Sequence, residues 1–219
     1  MITLPVVENF HSIQGEGDWV GTPMHFIRLA GCTVGVHAST RDKYAICTSI
    51  TGSKFTCDTD YRKGRKCSVN GLLAETYERH ICLTGGEPLL HSAVCGFIAL
   101  AHQIEVRVHI ETSGTVPFST ELTRFNPWIA CSPKAGALDR SILDSDEIRL
   151  LVDEDFKLDT LPASILNHHN VFVSPINRVQ SPIWGMWISE ENLKPALEVL
   201  EKRPDWRLSV QLHKYLGLR

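Results

Sequence analysis

An α/β fold built on parallel strands is the architecture this sequence predicts, and three observations carry the prediction. Short β-rich runs alternate with helical stretches, several of the runs end in a small polar cluster, and no repeat, low-complexity tract or Pro/Gly/Ser linker divides the chain. The first run is 24–30 (MHFIRLA), and the second, 80–86 (HICLTGG), ends in a double glycine. Then come 106–112 (VRVHIET), 128–133 (WIACSP), 147–152 (EIRLLV), 170–175 (NVFVSP) and 206–211 (WRLSVQ). Between them, 89–102 and 189–202 space their apolar residues helically, and Ser189 with Asn192 supplies a start for the second helix. Such alternation joins parallel strands by right-handed crossovers, and the carboxyl ends of the strands form the rim where ligands bind. TGGEP, ETSG, SPK and SPINR are the polar endings. One of them would be turn punctuation; four in succession on one rim read as a ligand site.

The chain has 219 residues, 43% of them hydrophobic, enough for one well-packed core, and 1–219 reads as a single domain. A formal net charge of -3 and the lack of a basic run argue against direct nucleic-acid binding and leave a small polar or anionic substrate in a local basic pocket. No basic segment precedes an apolar core at the N-terminus, and no apolar run approaches the roughly 18 residues of a membrane span, so the expected location is cytoplasmic. In a reducing compartment the seven cysteines read as buried thiols, metal ligands or catalytic groups rather than disulfides.

Cys32 stands just past the first strand, at the rim. Fourteen residues separate it from Cys47, and nine more separate Cys47 from Cys57, in a polar segment whose length without obvious structure points to function. Thiolates select zinc, Cu(I) or iron–sulfur clusters. Structural zinc favours short-spaced cysteine pairs, and no C-x₂-C pair occurs in the chain. Three thiolates without a fourth ligand suit a cluster with one open coordination position. Cys82, Cys95 and Cys131 lie within apolar runs and read as small buried side chains. Cys67, in YRKGRKC, has no assignment from its surroundings.

The segments ENFHSIQGEGDWVGTPMHFIRLAGC (8–32), CDTDY (57–61), TGGEP (84–88), ETSG (111–114), SPK (132–134) and QLHKYLG (211–217) resemble, in order and over nearly the whole chain, the 7-carboxy-7-deazaguanine synthase family. The resemblance implies a partial, modified (β/α) TIM-like barrel of the radical S-adenosylmethionine (SAM) type, with a cluster-binding loop at 32–57. It also implies a 4Fe–4S cluster, SAM and Mg²⁺. The implied reaction converts 6-carboxy-5,6,7,8-tetrahydropterin to 7-carboxy-7-deazaguanine with loss of ammonia. One iron would chelate the amino and carboxylate groups of SAM and deliver an electron, and SAM would be regenerated after use.

By the same resemblance Cys32, Cys47 and Cys57 hold the cluster and Thr59 reaches magnesium. Gly85, Gly86, Glu87, Ser113, Ser132, Lys134 and Ser174 surround SAM. The substrate falls to Gln14, Glu16, Arg28, Thr84, Gly85, His213 and Lys214. The amide and carboxylate of Gln14 and Glu16 suit the alternating donors and acceptors of a pterin edge, and Arg28 suits a bidentate contact with its carboxylate. Without the resemblance, Arg28 would be a strand residue paired with an acid, Glu87 a turn carboxylate and Thr59 a loop or cap residue. An electron donor such as a flavodoxin and a homodimer are the implied partners.

Two features depart from the family pattern. The usual cluster motif is C-x₃-C-x₂-C, yet Val36 stands four residues after Cys32; a fourteen-residue first gap is a family variant that Cys47 fits. The second gap should then be two residues, with a ligand where Lys54 stands, so an insertion of about seven residues lies between Cys47 and Cys57, a length change that costs little loop entropy. Cys67 is the alternative third thiol. Ser174 replaces the glutamine expected before Pro175. Another small radical SAM enzyme of the activase kind and a SAM- or pterin-binding protein without a cluster are the competing readings. A zinc or nucleic-acid module would need paired cysteines and a basic face.

Overall fold

The computed structural model describes residues 2–37, 42, 44–57, 59–176 and 190–218. Ser189, the Asn177–Arg178 end of SPINR and Asp58 of CDTDY lie outside the described residues. The strands are β1 (Thr3–Ile13), β2 (Pro23–Leu29), β3 (Ile46–Thr48), β4 (Lys54–Thr56), β5 (Arg65–Ser68), β6 (His80–Gly85), β7 (Arg107–Thr112), β8 (Trp128–Cys131), β9 (Glu147–Val152), β10 (Val171–Pro175) and β11 (Arg207–Leu208). The helices are α1 (Val69–Ala74), α2 (Ala93–Gln103), α3 (Asp139–Leu143), α4 (Ala163–Leu166), α5 (Glu190–Lys202) and α6 (Leu212–Tyr215).

Nine strands form one sheet in the order β11-β10-β9-β8-β7-β6-β2-β1-β5, and β3 pairs with β4 separately. The seven strands expected from sequence are the seven parallel ones, from β2 through β6 to β11. Strands buried on both faces read as apolar runs, which is why the inner ones stand out; β10 is buried along its whole length, whereas β11 at the edge is exposed. Among the described residues no ladder joins β11 to β5, so the sheet is an open α/β sheet, consistent with a partial barrel.

β1 runs antiparallel to β2 with a bulge between Val6 and Glu8, and β5 runs antiparallel to β1. Between β1 and β2 the chain closes on itself through Gln14 N donating to Thr22 O at 2.8 Å and Gly21 N donating to Gln14 O at 2.8 Å, with Gly21 at φ +84°. This closure turns the loop 14–22 over the sheet.

Two packed clusters support the rim. Phe97 and Ile98 of α2 pack on Leu4, Ile27, Leu83 and Ile110, each at most 1% exposed. Ala196 and Val199 of α5 pack with Trp206 on Ile148, Leu150 and Val173. Each such side chain contributes roughly 1.5–3 kcal/mol by leaving water. The expected helix 89–102 starts with a tight turn at Pro88–Leu90 and becomes α-helical at Ala93. The run 206–211 pairs only at Arg207 and Leu208.

Candidate functional site

Two adjoining chambers open at the carboxyl ends of the parallel strands. The first, about 230 Å³, is lined by Cys32, Cys47 and Cys57 together with Gly85, Gly86, Ser113, Ser132, Lys134 and Ser174. The second, about 170 Å³, is lined by Gln14, Arg28, Thr59 and His213. Glu16, Thr84, Glu111 and Gln211 line both.

The described part of the cysteine segment is structured, against the expectation of a bare loop. Cys32 follows β2 after Gly31, which sits at φ +90°, and the turn is tied down by Gly31 N donating to Tyr61 O at 2.9 Å and by the His91 ring against Ala30 O at 2.8 Å. β3 and β4 then form an antiparallel hairpin with Cys47 opposite Phe55. Its tip closes through Ser49 N to Ser53 O at 2.8 Å, and Cys57 N donates to Ala45 O at 2.8 Å. The nine residues between Cys47 and Cys57 are therefore spent on a hairpin whose base returns the two thiols to each other. Hydrogen bonding with Cys57, then burial, pushes the Cys47 thiol well up. Tyr61 lies with all three thiols, and burial raises its hydroxyl as well.

The hairpin is docked on the rim. Ala135 N donates to Thr48 O at 3.0 Å, Ser49 bridges to Lys134, and Ser53 Oγ donates to Asp153 Oδ1 at 2.7 Å. Cys67, the alternative thiol, stands elsewhere, on β5 opposite Leu4 and packed against the core of α2, outside the lining of the first chamber. Cys82 and Cys131 are fully buried, and burial pushes the Cys131 thiol up to about 12. Among the described residues no three His, Cys, Asp or Glu side chains converge on a single metal-ion position. A cluster puts each thiolate on its own iron and spreads its ligands accordingly.

The double glycine answers first to packing. A Cβ on Gly85, at φ +109°, would lie 2.5 Å from Leu29 N, and one on Gly86 would lie 2.6 Å from Gly31 C. The amides of Gly86 and Glu87 are committed to Leu29 O at 2.9 Å and Gly31 O at 2.8 Å. Any contact with a ligand amino group therefore runs through carbonyl oxygens, which accept. Glu87 departs from its expected place. It is 0% exposed and does not line the chamber. Its carboxylate accepts from Thr112 Oγ1 at 2.9 Å, Ser113 N at 2.9 Å and Ser113 Oγ at 2.5 Å, so it orients Ser113.

Lys134 Nζ donates to Ser132 O at 2.8 Å and Ser132 Oγ at 2.7 Å, and lies 5.6 Å from the Phe55 ring. Burial lowers its pKa, while the neighbouring thiols oppose the shift. A desolvated ammonium of this kind suits a carboxylate ligand. Ser174 Oγ is buried with no partner among the described residues, an orphan polar atom in the wall of the first chamber. Three gathered thiols, a glycine-lined approach, a half-buried ammonium and a buried hydroxyl without a partner among the described residues fit an iron–sulfur cluster with SAM.

In the second chamber Gln14 Nε2 donates to Glu111 Oε1 at 3.1 Å, and Gln14 Oε1 accepts from Glu16 N at 3.1 Å. Thr84 Oγ1 donates to Glu111 Oε2 at 2.7 Å. Arg28 NH1 donates to Glu8 Oε1 at 2.7 Å with its guanidinium 5.1 Å from the Phe10 ring, so it is both acid-paired and chamber-lining. The C-terminal segment seals this side: Leu212 N donates to Gly15 O at 3.0 Å, and a Cβ on Gly15 would collide with the His213 ring. Gly85 and Lys214, expected at the substrate, line the first chamber instead. Thr59, expected at magnesium, lines the second chamber, where a hydroxyl oxygen suits a hard cation completed by water and substrate oxygens.

Sequence reasoning missed three residues. Glu111 stands within the ETSG motif without a role of its own there. Arg149 sits in the apolar run EIRLLV and donates to Glu147, Glu111 and Glu16 from a position 5% exposed. A lone arginine inside a buried strand signals a buried partner, and that signal was available. Phe55 became legible only once the hairpin was seen.

Comparison with known proteins fits this geometry. No family model matches the chain. The 7-carboxy-7-deazaguanine synthase of Prochlorococcus marinus is 31% identical, with 98% of each chain covered. That of Buchnera aphidicola is 32% identical over 98% of this chain and 99% of its own, and that of Synechocystis 31% over 100% and 95%. The crystal structure of QueE from Escherichia coli superposes with a TM-score of 0.68 at 26% identity, covering 97% of this chain and 96% of that one. Full-length coverage at this identity, on a shared fold, shows that the chain belongs to the 7-carboxy-7-deazaguanine synthase family.

Proposed function

We propose that this chain is a radical SAM carbon–nitrogen lyase that converts 6-carboxy-5,6,7,8-tetrahydropterin to 7-carboxy-7-deazaguanine and ammonia, supplying 7-deazapurine and queuosine biosynthesis. The observation that carries the proposal is the pair of chambers joined across Glu16, Thr84, Glu111 and Gln211, one holding the thiols and Lys134, the other Gln14 and Arg28. When bound, the cluster and SAM supply a reversible one-electron start to the chemistry. Cys32, Cys47 and Cys57 hold the cluster, with Tyr61 and Phe55 limiting water around them. Lys134 binds the SAM carboxylate, Ser113 and Ser132 its polar groups, and Ser174 its adenosine side. Gln14, Glu16 and Glu111 accept from and donate to the pterin edge, Arg28 takes its carboxylate, and Thr59 contributes an oxygen to magnesium. His213 and Lys214 close the C-terminal side and keep bulk water from the reacting ring. The product equals the substrate less ammonia, so no net oxidant or reductant is consumed.

An electron donor of the flavodoxin kind, a homodimer and a cytoplasmic location complete the proposal; no described helix is long and apolar enough to cross a membrane. The test is anaerobic reconstitution with iron and sulfide, followed by SAM, reductant, magnesium and the carboxy-tetrahydropterin. A deazaguanine chromophore and equimolar ammonia are expected, lost in C32A, C47A and C57A and retained in C67A. A protein that binds only zinc and forms no product would overturn the proposal.

A further inference from the structure

Arg149 occupies the centre of β9 and is the one guanidinium among three carboxylates drawn from three parts of the chain. Its Nε donates to Glu147 Oε1 at 2.6 Å within β9, its NH1 to Glu111 Oε1 of β7 at 2.8 Å, and the same NH1 to Glu16 Oε2 of the loop after β1 at 3.2 Å. NH2 also reaches the Glu16 carbonyl at 3.4 Å. Glu147 is 0% exposed, and its second oxygen accepts from Asp18 N at 2.9 Å, so the network bolts the loop 14–18 onto the sheet. Gly17 is part of this fit: at φ +69°, a Cβ there would lie 2.7 Å from the Glu147 carboxyl carbon. Arg149 itself lines neither chamber, whereas Glu16 and Glu111 line both.

We propose that Arg149 is a positioning residue that fixes the carboxyl groups of Glu16 and Glu111 as a pair of acceptors at the junction of the chambers, so that the ligand edge lodged there must present N–H donors. For the pterin this is the amino-pyrimidinone edge, a clause that rests on the function proposed above. Three acids share one cation, and two of them face the ligand. A neutral, donor-rich edge adds donors to such acceptors, while an edge carrying only oxygens would set lone pair against lone pair, at a cost that makes for selectivity.

The groups facing Glu111 are Arg149 and Glu147 from β9, Thr84 and Cys82 from β6, Gln14 and Glu16 from the loop, and His109 from its own strand. Burial alone would raise the Glu111 carboxyl, but Arg149, Thr84 and Gln14 more than offset it and leave it below the ordinary value. Without the guanidinium the largest charge opposing burial is lost, and the carboxyl moves up.

The experiment uses the full chain labelled with ¹³C at the glutamate carboxyls, with the Glu111 signal assigned by its loss in E111Q. In the wild type the Glu111 signal should not titrate between about pH 5 and 8, and in R149M it should titrate within that window. Because R149M strands buried charge, R149Q/E147Q, which removes one charge of each sign, serves as the second variant, with the same expected titration; R149K should restore the untitrating signal. Pterin binding, followed by fluorescence, should weaken about tenfold per pH unit below the new pKa in these variants while staying flat in the wild type. A desamino pterin should bind poorly to the wild type. A Glu111 carboxyl that stays ionised to about pH 5 in the folded double variant would overturn the inference. If the wild type binds no pterin, the functional proposal fails while the carboxyl titration still decides the role of Arg149.

Discussion

Replacing Gly86 with alanine strikes the point where the TGGEP turn, β2 and the cysteine turn meet. The added Cβ would lie 2.6 Å from Gly31 C and 3.3 Å from Cys32 N, closer still to the Gly31 carbonyl oxygen. These are backbone atoms, which no side-chain rotation can clear. Bringing Gly31 C out to 3.0 Å requires a shift of at least 0.4 Å, and its oxygen requires more. That displacement strains Glu87 N to Gly31 O, at 2.8 Å, and moves Cys32 with it. Overpacking of this kind costs about 3 kcal/mol, the upper end of its usual range, since neither partner can yield alone. For a chain of this length the loss corresponds to a fall in Tm of roughly 6–12 °C. Urea unfolding of the apo protein measures the first quantity, and iron content after anaerobic reconstitution measures the displacement of Cys32. G96A is the control, since its Cβ would meet only Ile2 side-chain atoms, the nearest being the tip Cδ1 at 2.8 Å, which can rotate away. A G86A protein within about 0.5 kcal/mol of wild type and with full iron content would refute the packing argument.

Other outcomes follow from single contacts. E87Q places an amide against the hydroxyl and amide donors of Thr112 and Ser113, and should lose about 1–3 kcal/mol in urea melts while weakening SAM binding in calorimetry. Burial, with His80 and Arg107 adding to it, holds the His109 imidazole down at about 3. Its folded pKa lies below the unfolded value, so below about pH 6.5 the unfolded chain binds the extra proton and stability falls, by up to about 1.4 kcal/mol per pH unit. H109Q should flatten that acid limb by about one proton in pH-dependent melts; an unchanged slope would count against it. F97A empties the centre of the α2 core and should cost about 3–5 kcal/mol, read from the same unfolding curves.

The central parallel strands were legible because a strand buried on both faces is mostly apolar, as VFVSP in β10 is, with Ser174 its one polar residue. β1 was not, because it carries Glu8, Asn9, His11 and Ser12 on an antiparallel flank that is only half-buried. α1, α3 and α4 span four to six residues, too few for a 3.6-residue period to show. The hairpin carrying Cys47 was hidden because three-residue strands give almost no alternation, and its register depends on docking against Ala135 and Asp153. Residue types at the rim were readable, yet Glu87 and Arg149 act through neighbours 26 and 38 positions away in sequence, a relation only the folded sheet supplies. Cys47, followed by a gap longer than the family spacing, is brought beside Cys57 by the hairpin.

The most direct measurement is the anaerobic crystal structure of the reconstituted protein with SAM and the carboxy-tetrahydropterin bound. The expected result puts the cluster on Cys32, Cys47 and Cys57 and SAM against Lys134. It puts the pterin between Gln14 and Arg28, with the two molecules meeting beside Thr84 and Glu111. A pterin lodged away from Arg28, or a cluster that uses Cys67 in place of Cys47, would contradict the two-chamber assignment.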